Sequence, residues 1–433
     1  MDNAMTSSLR GLRSPLARWL AISLLCSLSG VSAWAQSDPP LRVGSLSSIQ
    51  GSTAFAPAGQ TEWSDATINR PITQGDRVWT DRGGRAELDL GTSVLHMDSH
   101  AFLDVVALDE DVFQASLNGG GVAIRVRELR DGENVEIDTA QLAFRAAQPG
   151  DYRIDVDPVQ GTTRVTVRNG MALVFGASGQ AVHLRPGPQH VFTGRNLQPA
   201  LSAPTAVDDD FARWLGQRIR QEDQSVAVRY LPRDVVGYSQ LDTNGSWAQD
   251  ASYGPVWYPR VKIADWAPYR YGRWDWIAQW GWTWIDDASW GFAPFHYGRW
   301  TLIGSRWAWV PGRLGPRPVY APALVAFTSD PADPISGAAD PGIGWFPLAP
   351  GEAWRPSYRA SVAYLRNVNR FIVGTNIASG TYFFQGRPEA TTMARMDDFI
   401  HGRPVHSHWR KASSAQLARA QVIVPPALVE PGR

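Results

Sequence analysis

The chain has 433 residues, 44% of them hydrophobic and 19% charged, so it is long and apolar enough for two or three domains. Its 41 basic and 41 acidic residues cancel, which argues against a nucleic-acid binder built on a broad basic field. Lys262 and Lys411 are the only lysines, a composition bias rather than a functional signal.

The N-terminus reads as a secretory signal. Arg10, Arg13 and Arg18 give a positive n-region, Leu20 to Val31 a short apolar stretch, and Ala33-Trp34-Ala35 the small-x-small spacing of a cleavage site. Residues 1–35 are therefore assigned as a signal peptide cleaved after Ala35, and the mature protein is expected in the periplasm or secreted. The apolar stretch is shorter than the about 20 residues of a bilayer span, and no later stretch is long and apolar enough, so no transmembrane span is expected in the mature chain. Leu25 precedes the only cysteine, Cys26, where a lipoprotein signal has a small residue. Cleavage removes three Arg and Asp2, leaving a net charge of −2 and no cysteine. Disulfides, thiol catalysis and cysteine metal sites are thereby excluded.

Residues 41–199 read as all-β. Ala86, Leu88 and Leu90 alternate with Arg85, Glu87 and Asp89; Tyr152, Ile154 and Val156 alternate with Arg153, Asp155 and Asp157; Val165 and Val167 sit between Arg164 and Arg168. Turns are predicted at Asp81 to Gly84, Asn118 to Gly121, Asp131-Gly132, Pro149 to Asp151 and Asn169-Gly170. Many short strands suggest a sandwich, barrel or short β-solenoid. Gln74 to Thr80, Arg85 to Leu88, Glu136 to Thr139, Gly150 to Tyr152 and Thr163 to Gly170 together resemble FecR-type domains. Ala140 stands where that family often has Pro, and Gly150-Asp151-Tyr152 replaces its usual Gly-Thr-aromatic step. The resemblance implies a periplasmic β-domain, used in some members to relay transport signals to a sigma factor, and no catalysis.

Residues 200–237 are predicted to be a linker with a helix. Asp208, Asp209 and Asp210 precede Phe211, Trp214, Leu215 and Ile219 at helical spacing, and acidic residues suit an N-cap and first turn better than a metal-binding triplet.

Residues 238–313 hold twelve of the twenty Trp and contain a repeat. Ala267 to Trp274 recurs as Ala293 to Trp300, and Trp282-x-Trp284-Ile285 as Trp307-x-Trp309-Val310; Tyr253 to Trp257 belongs to a weaker first copy. Trp274 and Trp276 share one strand face, as do Trp282 and Trp284, so the block reads as twisted hairpins stacked by their indoles. Trp266 to Arg270, Gly281 to Trp284 and Trp290 to Trp300 resemble an uncharacterised group of exported Trp/Tyr-rich proteins in which such a block follows a FecR-type domain. Gly344 to Glu352, Pro356 to Ala360 and Phe399 to Val405 continue the likeness. Residues 314–359 form a Pro/Gly-rich extension of the repeat, and 360–433 are expected to be an extended, partly disordered tail. The fold class is thus mainly β.

Two readings of the repeat stay open. Tyr269, Arg270, Arg273, Phe295, His296 and Arg299 suit a rim where aromatic faces stack on sugar rings and guanidinium groups add directed donors, which would hold a glycan or peptidoglycan strand. Alternatively the aromatics are packed inward as a small β-core. His401, His406 and His408 are too loosely spaced for a ligand set and read as solvated. Asp286-Asp287 and Asp397-Asp398 are adjacent in sequence, which does not preorganise acid–base work. No Gly-x-Ser-x-Gly elbow or phosphate loop occurs. The expectation is a non-enzymatic envelope binding or scaffold protein with a glycan or protein partner, no nucleic acid, and no cofactor or metal. A FecR-like signalling regulator is the alternative, although about 18 residues before the apolar stretch are too few for a folded cytoplasmic domain. A cell-wall enzyme is the second alternative and would need a catalytic constellation that the sequence does not display.

Overall fold

The alternating runs of the first half bury their apolar faces against each other in two sheets. The structure is a computed structural model and describes residues 38–200, 208–329, 342–370 and 381–423. One sheet runs, in hydrogen-bonded order, through Pro71–Ile72, Gly44–Gln50, Arg85–Asp89, Ser93–Met97, the second half of Val112–Val126, Gly150–Asp157, Thr162–Asn169, His190–Thr193 and Gln198–Pro199. The other runs through Ser64–Asp65, Thr53–Ala56, Arg77–Thr80, Phe102–Leu108, the first half of Val112–Val126, Asn134–Asp138, Ala143–Ala146, Ala172–Phe175 and Ala181–Leu184. Leu88, Leu95, Ile124, Ile154 and Val165 from one sheet meet Val78, Leu103, Phe113, Ile137 and Val174 from the other in a single core.

The long strand Val112–Val126 belongs to both sheets and corrects one expectation. Asn118 to Gly121 is not a turn but the bend at which this strand passes from one sheet to the other. Gly120 has φ +75°, and a Cβ there would stand 2.5 Å from the carbonyl oxygen of His100. Only glycine permits that close crossing.

The outer face of the first sheet is not left to solvent. The helix Asp210–Asp223 begins at the N-cap Asp209, whose side chain accepts the Ala212 N–H at 2.7 Å. Its residues Phe211, Trp214 and Leu215 pack on Ala123. Glu87 and Asp89, read as the polar side of their strand, are consequently buried. Glu87 accepts from Ser47 Oγ (2.7 Å) and from Arg218 Nε and Nη2 (2.7 and 2.8 Å). Burial alone would push the Glu87 carboxyl up, but His96 and Arg218 hold it below the usual carboxylate range. Asp89 accepts from the backbone N–H groups of Gly91 and Gly237 and pairs with Arg127, which also binds Glu222.

The Trp-rich block folds as three antiparallel hairpins. These are Gly245–Asp250 with Gly254–Pro259, Gly272–Ile277 with Gly281–Asp286, and Arg299–Ile303 with Arg306–Val310. Each places one Trp directly opposite another: Trp247 with Trp257, Trp274 with Trp284, Trp300 with Trp309. The first and third hairpins join into one sheet through Trp257 and Trp309. In each unit a glycine two residues before the first Trp makes room for the indole of the second. A Cβ on Gly272 would come within 2.7 Å of Trp284 Cζ2, one on Gly298 within 2.7 Å of Trp309 Nε1, and one on Gly245 would collide with Trp257. The indole N–H groups are anchored as well, Trp257 to the Leu241 carbonyl (3.1 Å), Trp284 to Asp286 (3.0 Å) and Trp309 to the Tyr297 carbonyl (2.8 Å).

A further sheet closes this core. Val325–Ser329 pairs with Gly342–Pro347, which pairs with Thr392–Arg395, while Val422–Ile423 adds to the other edge. Phe399, from the short helix Met396–Ile400, sits among Trp274, Trp282, Phe327 and Trp345. Residues 381–423 are therefore not an extended tail: they bring a strand and aromatic side chains to a core that the hairpins alone leave open. The expected signal peptide lies outside the described residues. Among those described, no helix is long and apolar enough to cross a membrane.

The sandwich and the hairpin block are bonded to each other. Asn69 donates to the carbonyls of Asp286 (2.9 Å) and Ala288 (2.6 Å) and Arg70 pairs with Asp275, while Arg130 grips Asp234 of the connector between them with two bonds of 2.7 and 2.8 Å.

Candidate functional site

The third hairpin carries the main cleft. Its floor is the Tyr-Gly-Arg entry of the repeat, His296 to Arg299, and its walls are Val310 to Leu314, the first hairpin's turn Ser252 to Pro255, and Val319, Ala321, Leu324, Pro350, Gly351, Asn367 and Val368. The cavity measures about 680 Å³, the size of a small-molecule or peptide site. Tyr253 and Arg313 are exposed at its mouth. Among the described residues that line it there are two Arg and no Asp or Glu.

Arg299 is buried. Its Nε donates to the Glu352 carbonyl (2.9 Å), Nη1 to the Gly298 carbonyl (2.7 Å) and Nη2 to Asn369 Oδ1 (3.3 Å). All three acceptors are neutral. The Glu352 carboxylate is turned to the backbone N–H groups of Ala349 (2.7 Å) and Phe383 (2.5 Å). Burial pushes its guanidinium down to about 10, against the opposing influence of Tyr269 and the nearby Glu352 carboxylate.

His296 is buried between Phe292 and Tyr320, with ring centroids 4.6 and 4.7 Å away. Its Nδ1 lies 2.8 Å from the Ala321 carbonyl oxygen. A carbonyl can only accept, so Nδ1 carries the proton and Nε2 is left with a lone pair. Burial pushes this imidazole down to about 4, so it is neutral at neutral pH. Nε2 has no hydrogen-bond partner among the described residues.

The six residues expected at a rim are not gathered there. Tyr269 is fully buried, its hydroxyl donating to the Phe295 carbonyl (2.8 Å) and accepting from the Leu324 N–H (3.1 Å). Phe295 is fully buried against Tyr269 and Trp290. Arg270 is buried by the C-terminal segment: it bonds Thr392 Oγ1 (3.2 Å) and the Thr391 carbonyl (3.2 Å), with Trp409 lying 4.1 Å from the guanidinium. Arg273 faces the sandwich and donates to Thr67 Oγ1 at 3.0 Å. Only His296 and Arg299 reach the cleft, at its floor. The rim expectation fails because segments remote in sequence cover these positions, and no local pattern announces a cover.

Tyr253, Arg313 and Asn367 were missed by sequence reasoning. They come from three separate segments, and only folding brings them together. Asp286 is fully buried and its carboxyl, pushed well up by burial, accepts from Trp284 Nε1 and the Ala288 N–H. His401 and His406 instead lie near the carboxylates of Asp397 (3.1 Å) and Asp287 (3.3 Å). Among the described residues no group of three or more His, Cys, Asp or Glu is set to hold a metal.

Residues 238–352 match a family described as a family of unknown function, DUF6600. No curated protein matches the chain. Among solved structures it is similar to two crystal structures of a provisionally assigned anti-sigma factor from Parabacteroides distasonis ATCC 8503. Both are 16% identical, with TM-scores of 0.26 and 0.27, and the match covers 29% and 32% of this chain and 57% and 64% of theirs. The chain thus spans less than two thirds of the length of those structures.

Proposed function

We propose that this is a non-enzymatic binding and scaffold protein of the bacterial envelope, periplasmic or secreted, which holds an anionic strand such as peptidoglycan in the cleft of its third hairpin. The observation that carries the reading is the cleft lining, which among the described residues holds Arg299 and Arg313 and no Asp or Glu, in a chain whose formal charge is zero. Such a lining favours an anionic ligand, because an opposite charge within a few ångströms is worth most where water is partly excluded. The N-terminal signal pattern and the FecR resemblance support the envelope. The deep burial of the repeat's aromatics supports packing as their role and favours the cleft as the surface for a ligand.

The test is co-sedimentation of residues 36–433 with purified peptidoglycan sacculi. Wild type is expected in the pellet at low salt, and Arg313→Glu is expected to retain at least several-fold less. Equal retention of both proteins removes the cleft from the reading, and no retention of wild type removes peptidoglycan. N-terminal sequencing of the envelope-associated protein is expected to begin at Gln36; a start at Met1 returns the membrane-anchored regulator.

A further inference from the structure

We propose that the open face of the second sheet of the sandwich is a platform for a neutral oligosaccharide, with the indoles of Trp79 and Trp63 stacking on its sugar rings. The platform uses none of the residues that line the cleft and does not depend on what the cleft binds.

The two outer faces of the sandwich differ. That of the first sheet lies under the helix Asp210–Asp223, and its polar side chains Glu87 and Asp89 are buried. On the second sheet the outward row Ala54, Trp79, Phe102 and Gly119 runs across four strands, each residue directly opposite the next, and all four keep contact with solvent. Trp79 is 41% exposed and Trp63 39%, the only exposed Trp among the described residues. Trp63 is held in place: its ring meets Phe102 edge to face at 5.8 Å, and the Arg77 guanidinium lies 5.0 Å from its centroid. Ala54 and Gly119 close the row on either side without bulk, which leaves room for a flat ring.

The neighbouring row on the same face is polar. Arg77, Asp104, Ser116 and Asp138 follow one another on successive strands, all in contact with solvent. Asn118 donates to Asp104 (2.8 Å) and Gln114 to Asp138 (2.6 Å), which fixes both carboxylates. An aromatic face takes the C–H side of a pyranose by dispersion, and fixed acceptors and donors beside it take the hydroxyls. Charge and area single out a neutral sugar. Two carboxylates to one guanidinium in this row disfavour an acidic chain, the reverse of the Arg-lined cleft. A stable protein partner takes about 800 Å² on each side. Two indoles at this exposure offer roughly 100 Å² each, an area of the order of a sugar ring.

The experiment is calorimetric titration of residues 36–433 with cellohexaose, laminarihexaose, maltohexaose and chitohexaose, and with hexagalacturonate as the acidic control. A neutral hexasaccharide is expected to bind more tightly than the control. Trp79→Ala is expected to weaken it about tenfold, the loss of one stacked ring, while melting close to wild type. Trp79→Tyr should restore most of that loss, and if Trp79→Ala does not fold, Trp63→Ala carries the same expectation. The side-chain amide resonances of Asn118 and Gln114 should shift as the sugar binds, a readout that needs no variant. Arg313→Gln, at the cleft, should bind the neutral sugar like wild type. Binding of none of the neutral sugars, equal binding of hexagalacturonate, or amide resonances that the bound sugar leaves unmoved overturns the proposal. Self-association that Trp79→Ala abolishes, with no sugar bound, overturns it in favour of a second copy on this face. A sugar lost in Arg313→Gln but kept in Trp79→Ala lies in the cleft, which overturns the platform and leaves the cleft reading standing.

Discussion

Single atoms decide much of the hairpin block. Gly272→Ala is expected to destabilise by about 1–3 kcal/mol, because the added methyl meets the Trp284 ring and neither group can retreat. Gly304→Ala, in a turn with open space around it but φ +63°, should cost about 1 kcal/mol from backbone conformation alone. Denaturant midpoints of the two variants give the comparison. His296 sets a pH dependence whose sign follows from its burial. The folded imidazole stays neutral down to about 4, while the unfolded chain takes up a proton below its ordinary value of 6.5. The unfolded state therefore binds more protons in that window, and stability falls as pH drops from about 6.5 toward 4, by up to roughly 3 kcal/mol. His296→Gln should flatten that part of the melting-temperature profile relative to wild type; parallel profiles would show that the ring is not held neutral. At Asp286 the buried carboxyl serves as an acceptor for Trp284 and Ala288. Trp284 Nε1 and the Ala288 N–H use different oxygens of that carboxyl, so Asp286→Asn can serve only one of them and turns an NH2 toward the other, and both Asp286→Asn and Asp286→Ala should cost about 1–3 kcal/mol in thermal melts.

The elements are held by what lies across from them more than by their own propensity. Each hairpin carries a facing Trp pair, and within the second the Trp274 and Trp284 rings meet edge to face at 5.5 Å. Trp284→Ala or Trp309→Ala should cost about 3–5 kcal/mol in thermal melts. Trp247 is only half-buried on an edge strand, so its truncation should cost less than that of its partner Trp257. If all four variants lose the same stability, the facing-pair account is too simple. The helix Asp210–Asp223 depends on its cap in a similar way. Asp209 ties the first turn through Ala212 and, with its other oxygen, binds Arg153 of the sheet below at 2.7 Å. Asp209→Ala is expected to lower stability by about 1–2 kcal/mol.

At the scale of the molecule, the helix and the segment behind it act as the cover of the sandwich. Glu87, Asp89 and Arg127 are buried on the sheet's outer face only because Arg218, Glu222 and Gly237 meet them. A fragment of residues 38–199 exposes that polar face, loses the partners of Glu87 and Arg127, and uncovers Ala123. Residues 38–237 restore these contacts. The longer fragment should unfold at a clearly higher denaturant concentration than the shorter; coincident midpoints would show that the helix is a mere connector. The third hairpin is bounded in the same long-range fashion, with Asn367 and Pro350 closing a cleft that begins at Tyr253.

What the sequence by itself determined follows from short-range periodicity. Alternation placed Ala86, Leu88, Leu90, Tyr152, Ile154, Val165 and Val167 inside, and all are buried. The acidic run before Phe211 marked a helix start, and the spaced Trp pairs marked hairpins whose facing indoles pack together. These properties depend on a residue and its neighbours within a turn or a strand, so they are legible locally. The tertiary structure alone decided which polar residues are covered and which are open. Glu87 and Asp89 sit at polar positions of a two-faced strand yet are buried by a helix more than a hundred residues later. Gly119 to Gly121 has the composition of a turn, but it makes the bend at which one strand serves two sheets. Arg270 and His296 occupy equivalent positions in two copies of a repeat, and only the path of residues 389–409 makes one a covered structural contact and the other a floor of the cleft. Burial is a relation between distant segments, and a repeat that is identical in pattern cannot say what will lie on top of it.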